Sequence, residues 1–176
     1  MPPFFNLIRD ICLLRRAPQD LPYSVPNLFA VVVACVLLDL AVAVVRATPL
    51  ADALAGAVLG LGFTLGTLNL VLSLRGLRNR FVQAATALLA CALAFTLLSL
   101  PLLLLTGEPP KSAATATPLQ LLLSAIGLPL LVWQVIVEAH VLRHSLDVPF
   151  LTGIMIAILW IVAILALGAA AGAPGL

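Results

Sequence analysis

Two carboxylates stand inside long apolar runs: Asp39 in the stretch 25–45 and Glu138 in the stretch 119–141. An ionisable group at such a position is costly if it faces lipid, so each is a candidate for proton or ion coupling, or for a packed ion pair. Arg46 follows Asp39 by two helical turns on the same face, near enough to snorkel back toward it. Glu138 has polar company. Counting depth at about 1.5 Å per residue puts Asn69, Gln83, Gln134 and Glu138 within roughly two helical turns of one membrane edge. His140 and His144 follow on the same helix, and Arg75, Arg78, Arg80 and Arg143 flank the set. These residues read as a polar vestibule ringed by arginines, suited to a lipid headgroup, a phosphate or an acidic partner segment. Interhelical hydrogen bonding with snorkelling arginines is the plainer alternative.

Several chemistries are excluded. The same depth count sets Asp39 and Glu138 roughly 20 Å apart, too far to share a proton. His140 and His144 have metal-compatible spacing, but only Asp147 is an obvious local third ligand and no H-E-x-x-H pattern occurs, so no metal is expected. Cys12, Cys35 and Cys91 lack paired spacing and read as reduced, structural residues. No nucleophile elbow, P-loop or metalloprotease pattern appears, so neither enzymatic activity nor a cofactor is expected.

The elements that must position these groups follow from composition. The chain has 176 residues, 63% hydrophobic and 9% charged, with mean hydropathy +1.22. Soluble domains carry about 25% charged residues. A globule of this size could not hide so much apolar surface in one core. A soluble enzyme and a disordered tail are therefore excluded, and a net charge of +2 is too small to argue for nucleic acid. The expected fold is all-α, a polytopic transmembrane bundle. About 20 apolar residues cross a bilayer core, and five stretches qualify: 25–45, 54–74, 81–105, 119–141 and 150–167. Gly56, Gly60, Gly62 and Gly66 give the second stretch two small-residue faces, which predicts a central helix clasped by two neighbours. Residues 1–24 form a separate segment that does not read as a cleavable signal. Within it, 4–14 is amphipathic, with Phe4, Phe5, Leu7, Ile8, Ile11, Cys12 and Leu14 on one broad arc and Asn6, Arg9 and Asp10 on the other. A helix of this pattern is expected to lie flat in the membrane interface.

Basic residues near span ends orient a membrane protein. With the N-terminus inside, Arg9, Arg15, Arg16, Arg75, Arg78, Arg80 and Arg143 lie inside, and Arg46 and Lys111 lie outside. This predicts a cytoplasmic N-terminus and a periplasmic C-terminus. The preference for Arg over Lys, with abundant Ala and Leu, suits a GC-rich bacterial gene and hence an inner membrane.

The layout resembles the Yip family of small five-span membrane proteins, in its bacterial branch. Asp20-Leu21-Pro22-Tyr23-Ser24, just before the first span, is similar to the family's Asp-Leu-Tyr-Gly-Pro stretch, without its Gly and in a different order. Arg80-Phe81-Val82-Gln83 and His140-Val141-Leu142-Arg143-His144 resemble positions in small bacterial inner-membrane proteins of this kind. The resemblance implies a non-enzymatic scaffold or accessory subunit that organises membrane lipid, a membrane-protein partner or a second copy of itself. The alternative is a small transporter or channel component using Asp39 or Glu138.

Overall fold

The computed structural model describes residues 4–106 and 117–170. Lys111 and the tail beyond 170 lie outside the described residues. Six helices follow one another: α1 (Phe4–Cys12), α2 (Val25–Val45), α3 (Leu50–Leu74), α4 (Phe81–Thr106), α5 (Pro118–Leu146) and α6 (Phe150–Ala170). Short 3-10 turns at Pro18–Asp20 and Arg78–Arg80 precede α2 and α4. The fold is an all-α bundle, and α2 to α6 supply five helices long and apolar enough to cross a membrane.

Local chemistry sets the helix ends. Ser24 accepts from the Asn27 amide at 3.3 Å and starts α2, with Pro26 in the first turn where its missing N–H is harmless. Thr117 and Gln120 exchange reciprocal bonds at 3.2 and 3.0 Å, a capping box that starts α5. Gly76, at φ +71°, ends α3, and the Leu77 amide returns to Leu72 O at 2.8 Å. Asp147 makes the equivalent turn after α5 at φ +52°, a conformation that Asp tolerates through its short polar side chain. Two helices outrun their expected ends. α3 begins at Leu50 rather than 54, and α5 continues past 141 to Leu146, so that the His-Arg-His segment is helical.

The central helix is α4, not the glycine-rich α3. In its first half, Ala84, Ala85, Ala87, Ala90 and Cys91 are all buried, and α4 packs against α1, α2, α3 and α5. Small side chains spread around the whole circumference let several neighbours approach one helix. In α3, by contrast, a Cβ added at Gly60, Gly62 or Gly66 would meet nothing within 4 Å. Those glycines leave open space where close packing was expected. The close approach occurs at Gly153 on α6, where an added Cβ would sit 2.6 Å from Ala139 O of α5.

The amphipathic N-terminal helix forms, ending at Cys12, but its apolar face meets protein. Leu7, Ile8 and Ile11 are buried and pack with the alanine-rich part of α4 in one apolar cluster. Cys12 Sγ lies 3.4 Å from Cys91 Sγ, both as free thiols, and Trp133 Nε1 of α5 donates to Cys12 O at 3.0 Å. Cys91 is ten residues into α4, about 15 Å along it. Helix α1 therefore lies against the flank of the bundle, alongside α4 and α5, rather than flat beneath it.

Candidate functional site

The expected vestibule residues divide into two groups that face different ways. The first group fastens the end of the bundle that carries residues 75–80 and 142–149, the arginine-rich end. Gln83 Nε2 donates to Leu21 O and, at 3.1 Å, to Gln19 O. Gln19 Nε2 donates to His144 O. His140 Nε2 meets Arg16 O at 2.9 Å, a contact that requires a proton on that nitrogen. Residues 16–21 are thus strapped across α4 and α5 and occupy the place of an open mouth.

The arginines are used in the same way. A helix leaves its last four carbonyls unpaired and its C-terminal end electronegative. Arg75 Nη2 donates to Leu146 O at 3.0 Å, and Arg80 Nη1 donates to His144 O at 3.2 Å. Both arginines, from α3 and from the turn before α4, cap the C-terminus of α5. Arg80 also pairs with the exposed Asp147 at 2.8 Å and holds its carboxyl below the ordinary value. Arg143 Nη2 donates to His144 Nε2 at 3.1 Å, which makes that nitrogen an acceptor, and its guanidinium lies 5.4 Å from the centre of the Phe150 ring. Arg78, exposed like Arg75, is alone in the expected ring in making no side-chain hydrogen bond or ion pair among the described residues. Two of the four arginines thus cap α5, Arg143 braces His144 and Phe150, and Arg78 is left unpaired among the described residues. The two imidazoles stack edge to face at 4.6 Å, and no group of three or more His, Cys, Asp or Glu side chains converges among the described residues.

The second group turns inward. Gln134 Nε2 donates to Glu138 Oε1 at 3.0 Å. Both side chains line a cavity of about 270 Å³ between α3, α4, α5 and α6, with Thr64, Leu88 and Trp160. Because α5 runs on to Leu146, Glu138 stands about 12 Å from its end and is deeper than the count to 141 implied. Glu138 makes no ion pair among the described residues, so it does not balance the arginines. Asn69 is half-buried, and its side chain bonds to neither group among the described residues.

Asp39 borders a second cavity of about 160 Å³, with Cys35, Gly60, Thr64 and Thr96. The two cavities share Thr64, Leu89, Ala92 and Ile164 as a common wall. Their carboxylates are not bonded to one another, but they border adjoining spaces and differ in depth by roughly 10 Å rather than 20 Å. The expected Asp39–Arg46 pair is absent among the described residues. Arg46 instead lines a cavity of about 320 Å³ between α4 and α5, beside Ser99, Ser124 and Gln134. Arg46 follows the last residue of α2 and is exposed there, at the edge of this mixed recess rather than beside Asp39.

One space had no counterpart in the sequence reading. A groove of about 580 Å³ runs between α1, α2 and α4, walled by Phe4, Ile8, Ala34 and Ala94, with Asn27 and Arg9 as its polar groups. Its signal was present as small residues four apart, Ala30 with Ala34 and Ala90 with Ala94, which keep two facing helices thin along one stripe. No family model, curated protein or solved structure matches the chain.

Proposed function

We propose that this integral membrane protein is a non-enzymatic scaffold or accessory subunit that holds phospholipid against its N-terminal helix and presents it to a membrane partner or a second copy. The observation that carries this reading is the 580 Å³ groove between α1, α2 and α4. Its walls are apolar, as an acyl chain requires. Phe5 and Phe29 beside it are 82% and 69% exposed, so the region faces lipid. Arg9 lies at the groove, and Asp10 holds Arg9 at 3.0 Å and Arg16 at 3.4 Å. That trio keeps a net positive charge, and exposed Arg15 adds to it. Each basic residue near an anionic lipid surface contributes about 1 kcal/mol. The likeness to the Yip layout implies the same class of role.

The test is lipid retention by native mass spectrometry after extraction from mixed phosphatidylglycerol and phosphatidylcholine. Wild type should keep phosphatidylglycerol preferentially. Ala94→Phe should fill the groove and release the retained lipid, and Arg9→Ala should weaken the anionic preference by about fivefold. Equal retention and equal preference in all three proteins would overturn the reading.

In this reading the arginine-rich end is cytoplasmic, the C-terminus is periplasmic and the membrane is a bacterial inner membrane. The bias of basic residues toward one set of span ends supports it. A C-terminal alkaline phosphatase fusion should be active and a C-terminal green fluorescent fusion dark; the opposite pattern would reverse the orientation.

A further inference from the structure

We propose that the cavity around Glu138 binds a small lipophilic organic cation, a quaternary or protonated amine carrying hydrocarbon. This site is separate from the lipid groove and does not depend on it.

The carboxylate is short of partners. Oε1 accepts from Gln134 at 3.0 Å, and no second hydrogen bond or ion pair reaches the group among the described residues. The helices around it offer no counter-charge. α4 and α6 contain no charged residue, and Asp52 is the sole charge within α3. Arg143, on α5 itself, lies five residues on, roughly 140° round the helix, and is engaged by His144 and Phe150. A half-buried carboxylate inside an apolar bundle and without a counter-charge is costly, and a bound cation removes that cost.

The walls select the kind of cation. Among the described residues, Thr64 and Gln134 are the only polar side chains beside Glu138 in a lining otherwise made of Leu, Ile, Ala and Trp. Hard ions take six or more oxygens at short range, and these three side chains cannot supply them. A cation whose charge is spread over alkyl groups needs no such shell and gains from the apolar walls. The cavity, about 270 Å³, has the room of about nine waters at ~30 Å³ each, which leaves space for a small organic cation but no room for a long chain. Trp160 supplies an aromatic surface for the charge. Its ring is held edge to face by Phe63 of α3, at 6.0 Å and 79°, where α3 and α6 meet. Contact between α3 and α6 is sparse, so a membrane-dissolved cation would reach Glu138 from the side at this seam.

The test uses the full chain in phosphatidylcholine nanodiscs with benzyltrimethylammonium as probe. Equilibrium dialysis should show saturable binding to one site. Glu138→Gln should weaken it at least tenfold, and Asp39→Asn should leave it within twofold. Neopentylbenzene, the uncharged isostere, should bind wild type and Glu138→Gln alike, and sodium should not compete. A second measurement needs no variant. Saturating probe should protect Glu138 of wild type from dicyclohexylcarbodiimide, read as the mass added to its peptide. Absence of saturable binding, equal affinity in a folded Glu138→Gln, or undiminished carbodiimide labelling would each overturn the proposal.

Discussion

Gly153→Ala is expected to lower the thermal midpoint of the detergent-solubilised protein by roughly 2–6 °C. The added Cβ would stand 2.6 Å from Ala139 O and 3.3 Å from Arg143 Cβ. The first neighbour is backbone in the middle of α5 and cannot rotate away, so the helices must separate. Overpacking of this kind costs about 1–3 kcal/mol. A chain of this size shifts its midpoint by about 2–4 °C per kcal/mol. The gain in helix propensity from Gly to Ala, about 0.5–1 kcal/mol, offsets only part. Gly153→Leu should fail to fold. The control is on α3. Gly60→Ala and Gly66→Ala meet nothing within 4 Å, so they should keep or slightly raise the midpoint. If Gly153→Ala melts with the α3 variants, α5 and α6 are not in close contact. Separation at this point would also move Trp160 away from Glu138, so cation binding should weaken in parallel with stability.

Gln83→Leu is expected to free the N-terminal strap. Leucine is apolar and one atom shorter, so both donations, to Gln19 O and Leu21 O, are lost. Water does not easily replace them, because Leu21 is 2% exposed and Pro18 is buried beside it. A stranded buried carbonyl costs about 1–3 kcal/mol, so two bonds total roughly 3 kcal/mol, about a hundredfold in the population of the open strap. Trypsin reads this directly, because Arg15 and Arg16 lie in the segment that the strap holds. Cleavage tracks the open population when reclosing is fast, so it should accelerate by up to about a hundredfold. Arg78→Ala, which removes an exposed side chain, should cleave as wild type does. Unchanged cleavage in Gln83→Leu would show that Trp133, His140 and Gln19 hold the segment without Gln83.

Composition and run length determined the class of this protein. With 63% of residues hydrophobic and 9% charged, only a bilayer accommodates the surface, and backbone polar groups in lipid force helices. Four of the five spans began within a residue of their expected start, because Ser24, Pro118 and the Arg-rich turn before Phe81 are local signals. The amphipathic arc of α1 was equally legible, since it is a local periodicity. Which face meets which neighbour was not. Glycine spacing pointed to α3, but glycine permits close approach without requiring it, and the neighbouring helices went instead to the alanines of α4 and to Gly153. Depth arithmetic placed the polar residues along each helix but not around it. It therefore could not see that Gln83, His140 and the arginines reach backbone carbonyls of the N-terminal strap and of the end of α5, while Gln134 and Glu138 face a cavity. Those bonds join residues 62 to 125 positions apart, and their partners are main-chain carbonyls, which every residue carries. A sequence cannot mark such an acceptor. Only the packing of α1, α4 and α5 decided which carbonyls were left to be capped and which carboxylate was left without a counter-charge.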